Sequence, residues 1–156
     1  MPRDRFPAVR NKIASDLDRL AEVLSRKNLV QDASPLRKAA NDCRFDLSYP
    51  ERWRYSIDDL IFRQIGKLKA FQKGFDIKSA VIKFSILIEG KCDYSEGEDP
   101  LISLGMTVFI EGLYEGENDV TKASSSWHLD KHDFNDETEF MHPIYHLSFG
   151  GIDFEE

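Results

Sequence analysis

At Ile77 the spacing of apolar residues along this chain changes from 3.6 to 2, which divides it into a helix-forming first half and a sheet-forming second half. From there Ala80, Ile82, Phe84, Ile86 and Ile88 alternate with Val81, Lys83, Ser85, Leu87 and Glu89, the pattern of a strand with one fully apolar face. Gly90 ends it. A second strand is predicted over Leu101 to Tyr114, a third over Ser124 to His132 and a fourth over Ile144 to Phe149, after which Gly150-Gly151 reads as a turn.

Ahead of Ile77, Ile13, Leu17, Leu20 and Leu24 form one apolar stripe on a helix from about Pro7 to Asn28, and Arg10, Lys12, Arg19, Arg26 and Lys27 fall on its solvated faces. Ser34-Pro35 predicts the start of a second helix that ends near Asp42. A third is predicted from Ser56, with Ile57, Leu60, Ile61, Ile65 and Leu68 as its buried stripe and Gly74 as its stop. The resulting expectation is an α+β fold, three N-terminal helices packed on an antiparallel four-stranded β-meander. A length of 156 residues suits one domain, 1–156, with residues 1–75 as a helical basic part and 76–156 as an acidic sheet.

The net charge of -7 conceals a polarity along the chain. Residues 1–80 carry 17 basic against 11 acidic side chains, and residues 81–156 carry 4 against 17. Oppositely charged halves predict separate contact surfaces, hence a small accessory or interaction protein that works with a protein partner in a complex. No apolar run is long enough to span a membrane, so a cytoplasmic protein without membrane contact is expected. Cys43 and Cys92, far apart in sequence, have no metal-type or redox-type spacing and read as ordinary thiols.

All four histidines lie between positions 128 and 146. If the last two strands pair antiparallel about a loop centred near Glu137, His128 faces His146 and His132 faces His142, with Asp130 on the same face. Directly opposed residues have Cβ atoms about 4.5–5.5 Å apart, close enough for two imidazoles to share a divalent ion. The candidate metal ligands are therefore His128, Asp130, His146, His132 and His142, the candidate cofactor is zinc, and the alternative function is a metal-dependent hydrolase acting on a phosphoester. A polar sheet face whose histidines bond to carboxylates and serines explains the same pattern without metal. The zinc-protease motif is excluded because Leu129 and Pro143 stand where its glutamate belongs, and no Gly-x-Ser-x-Gly elbow is present. Finally, Arg52, Trp53 and Arg54, among aromatics, can form a small nucleic-acid platform together with the basic helical half.

Overall fold

The computed structural model describes residues 5–65, 68–69, 76–115, 120–131 and 145–155, with side chains described over 6–63, 79–113, 122–131 and 145–150. Two helices, α1 (Arg5–Arg26) and α2 (Ser34–Phe45), precede six strands: β1 (Arg52–Ile65), β2 (Leu68–Lys69), β3 (Asp76–Lys91), β4 (Leu101–Glu115), β5 (Val120–Lys131) and β6 (Tyr145–Glu155). The five long strands form one antiparallel sheet ordered β1-β3-β4-β5-β6, and the two-residue β2 also pairs with β3.

Both helices have identifiable ends. Asn28 takes a left-handed conformation (φ 55°) after α1. Its N–H bonds to the Ser25 carbonyl and that of Leu29 to Leu24, which satisfies the open carbonyls of the last turn. Before α2 the Asp32 carboxylate accepts from the Ser34 N–H at 2.9 Å and from the Ser34 hydroxyl, so the capping acceptor is Asp32 and Ser34 already lies inside the helix. These two bonds hold the Asp32 carboxyl below its usual range.

The fold remains α+β, but the expected third helix is a strand and the sheet has five long strands instead of four. Two bulges in β1 explain the difference. Opposite β3, Ile57 and Leu60 face Ile86 and Phe84, and Phe62 and Ile65 face Ile82 and Ala80, so β1 gains one residue at each step. The residues of β1 in register with the apolar row of β3 are therefore 53, 55, 57, 60, 62 and 65. Spacings of three interrupt the alternation and imitate a helical stripe. At the first bulge Asp59 adopts φ 50°, and its N–H bonds to the Ser85 hydroxyl at 3.1 Å. The sheet therefore begins at Arg52, in the part of the chain, residues 1–75, expected to be the helical one.

The main core forms where the helix pair covers this corner of the sheet. Ala14, Leu17 and Ala21 of α1 and Leu36, Ala39 and Ala40 of α2 are buried with Ile57 and Leu60, and Phe84 and Ile86 of β3 pack against them. Small residues let the helices approach closely. A smaller cluster unites Cys43, Trp53 and Cys92, with Phe6, Val9, Ile88 and Leu101 around it. The two thiols are free and share this cluster despite their distance in sequence. Burial pushes the Cys43 thiol up to about 11 and that of Cys92 upward as well.

Arg10 departs from the expected solvated face: it is only 3% exposed. Its Nε donates to the Arg52 carbonyl at 2.8 Å and its Nη2 to the Tyr49 carbonyl at 2.6 Å, which ties α1 to the connection leading into β1.

Candidate functional site

Alternation gives the sheet two faces of different chemistry. The cross-strand rows Gly105↔Asp130↔His146 and Thr107↔His128↔Ser148 lie on the face away from the helices. The rows Met106↔Leu129↔Leu147 and Val108↔Trp127↔Phe149 lie on the face that α1 and α2 cover at the β1 end of the sheet.

On the polar face, the Thr107 hydroxyl and His128 Nδ1 are 3.0 Å apart and hydrogen bonded. Asp130 sits over Gly105, where an added Cβ would lie 3.6 Å from its Oδ1. The expected opposition of His128 to His146 does not occur. His128 faces Ser148, and His146 faces Asp130, a shift of two residues that keeps every side chain on its expected face. The histidines become diagonal neighbours, whose separation is about 7–8 Å between Cα atoms. Among the described residues no group of three or more His, Cys, Asp or Glu side chains is placed to hold a metal ion. His132 and His142 lie outside the described residues.

Contacts on the other face account for the register. Trp127 opposes Phe149 with ring centroids 4.6 Å apart, and Leu129 opposes Leu147. At the strand ends Lys131 pairs with Tyr145, and both reach Asp99 in the loop before β4: the Tyr145 hydroxyl donates at 2.7 Å and Lys131 Nζ at 3.0 Å. Lys131 also bonds the Leu101 carbonyl. The hydroxyl, the Leu101 N–H and the ammonium hold the Asp99 carboxyl down at about 2. Beyond Phe149 the strand continues to Glu155, and β6 gains one residue between the partners of Ser125 and Trp127, so Gly150-Gly151 lies at a bulge and not at a terminal turn. Gly150 leaves room for the Ser126 hydroxyl, which an added Cβ would strike.

The side chains of the apolar rows are well exposed on β5 and β6: Trp127 by 40%, Phe149 by 47% and Leu147 by 64%. Neither helix reaches them; the helix pair packs on β1 and β3. The alternation of Trp127, Leu129, Tyr145, Leu147 and Phe149 predicts that they share one buried face; they do share a face, but it is exposed on β5 and β6, because parity alone does not reveal whether a layer covers it.

The arginine and aromatic segment is built into the fold. Trp53 is 9% exposed and its indole N–H donates to the Lys91 carbonyl at 3.1 Å, so its ring offers no stacking face. Arg52 pairs with Glu89 at 2.8 Å and Arg54 with Asp46 at 3.1 Å. Arg54 also lines a cleft of about 500 Å³ with Asn41, Asp42, Phe45, Asp46, Tyr55, Ser56 and Leu87, and among the described residues no histidine borders it. Among the described residues no helix is long and apolar enough to cross a membrane. Comparison of the chain with known protein families, with curated proteins and with solved structures finds no match.

Proposed function

We propose that this protein is an interaction module that binds a protein partner through the helix-side face of β5 and β6. The observation that carries the reading is the exposure of Trp127, Leu147 and Phe149 on a face whose β1 positions are buried beneath helices. Contiguous exposed apolar side chains are a cost to an isolated domain and a hallmark of contact surfaces, where tryptophan and other aromatics carry much of the binding energy. Charge supports the same reading. The 17 acidic side chains in residues 81–156, against 4 basic ones, steer a basic partner toward the sheet, while the basic first half is a separate contact surface.

Adjacent residues of one strand test it, because they point to opposite faces. A benzoylphenylalanine photocrosslinker placed at Phe149 is expected to form a discrete adduct with a partner in cells, and the same group at Ser148 is expected to form none. Adducts from Ser148 alone, equal adducts from both, or none from either contradict the proposal.

A further inference from the structure

We infer that the groove between α2 and the open edge of β1 receives an extended peptide segment of a partner, which adds to the sheet as a strand beside Arg54 and Ser56 and sets a lysine or arginine against Asp42. This edge is at the opposite end of the sheet from β6, so the inference stands on observations separate from the exposed apolar face.

The backbone groups of β1 are the first argument. The Cys92 N–H bonds to the Glu51 carbonyl, so Glu51, and by alternation Trp53, Tyr55 and Ile57, turn their peptide groups toward β3. Arg52, Arg54 and Ser56 turn theirs outward. The chain closes this outer edge at both ends. The Arg52 N–H bonds to the Tyr49 carbonyl, and the Arg52 carbonyl accepts from Arg10 Nε. Farther on, the Gln31 N–H bonds to the Ile61 carbonyl and the Arg63 N–H to the Leu29 carbonyl. Between these closures the N–H and C=O groups of Arg54 and Ser56 have no protein partner among the described residues. An open edge of this kind is a template for a further strand. A docked helix satisfies its own backbone internally and would leave these groups unpaired.

The groove itself is the second argument. Two clefts, of about 500 Å³ and about 310 Å³, meet at Ser56, and α2 walls both. Its lining residues Ser34, Lys38, Asn41 and Phe45 follow at steps of four, three and four, one face of the helix. From Ser34 to Phe45 the helix rises about 16 Å, the length of about five extended residues. Charge then selects the side chain. Across the two clefts Asp42, Asp46 and Asp58 face Lys38 and Arg54. Arg54 is paired with Asp46 at 3.1 Å, so the larger cleft keeps one carboxylate in excess, Asp42, which has no ion pair among the described residues. Tyr55 and the exposed Phe45 supply apolar walls beside it. A lysine or arginine lays its stem along such walls and keeps its charge at the rim, and in an added strand alternate side chains enter such pockets.

Selection of displayed random 10-residue peptides against the full chain, followed by amide hydrogen exchange of the complex, tests the inference. Enriched peptides are expected to alternate with period 2 around a lysine or arginine, and their binding should slow exchange of the Arg54 and Ser56 N–H groups at least tenfold. N-methylation of the peptide backbone should weaken binding at least tenfold at alternate positions and little at those between, a comparison that leaves the protein unaltered. Ser56→Pro removes an outward N–H and no bond to β3, a change that edge strands tolerate, and it should weaken binding at least tenfold. Asp42→Lys should turn the preference at the basic peptide position to glutamate. Slow exchange of Arg54 and Ser56 in the free protein would mean that the edge is already paired, and self-association lost with Ser56→Pro would assign it to a second copy. Enrichment of helical peptides, binding indifferent to Ser56→Pro, an unaltered charge preference with Asp42→Lys, or no enrichment would leave no such strand to add. Each of those results overturns the inference.

Discussion

Single side chains hold the two layers together and position the open face. Arg10 carries a charge into the core and spends its guanidinium on two carbonyls of the connection before β1. Arg10→Met keeps much of the volume but leaves both carbonyls without that donor, so a loss of about 2–4 kcal/mol is expected in urea denaturation. Asp99 acts at the other end of the sheet, where it joins Tyr145 and Lys131. Its carboxyl is held at about 2 against an ordinary value of 3.8, so the folded state favours the ionised form. The associated stability is present above the unfolded value and is lost as pH falls through the folded one. Asp99→Asn should therefore destabilise the protein at pH 6 and have a smaller effect at pH 2, an effect moderated by the exposure of the groups. An equal effect at both pH values would contradict this. Tyr145 is raised by the same hydrogen bond, so its contribution is present below pH 10 and declines as the phenol ionises.

At the level of elements, the long uninterrupted patterns were legible and the irregular ones were not. The predictions of α1, α2 and the first three strands from Ile77 onward match observed elements because each has one period over most of its length, whereas the last strand continues past its predicted end at Phe149 to Glu155 through a bulge. In β1 the bulges at Ile57/Leu60 and Phe62/Ile65 break the period, and the sequence spacing then matched a helix better than a strand. Asp59 marks the first of these bulges. Asp59→Gly should be neutral or stabilising by up to about 1 kcal/mol, whereas Asp59→Val should cost about 1–2 kcal/mol, since a β-branched residue resists the left-handed region. Gly90 is constrained differently: a Cβ there would enter the Trp53 indole and lie 2.9 Å from the Pro100 carbonyl. Gly90→Ala is expected to lower the thermal midpoint through an overpacking cost of about 1–3 kcal/mol. For the candidate histidine site, the face was legible from parity. The register was not, because it depends on the Trp127–Phe149 ring contact and on Asp99, a residue distant in sequence.

At the scale of the whole molecule, the helix layer among the described residues is narrower than the sheet beneath it. Two helices cover the β1 and β3 corner, while the apolar rows of β5 and β6 continue into solvent. That mismatch, together with the opposite charges of the two halves, is the physical basis for the proposed interaction module. The competing site, the two rows that hold Thr107, His128, Asp130 and His146, lies on the reverse face of the same strands. The two are separated most directly by comparing Trp127→Ala with His128→Ala, neighbours on opposite faces, in binding to the partner captured from position 149. Trp127→Ala is expected to weaken binding by about 2 kcal/mol, roughly thirtyfold, as for an interface anchor, with His128→Ala changing it less than about twofold. A large loss with His128→Ala and an unaltered affinity with Trp127→Ala would place recognition on the polar face and contradict the account.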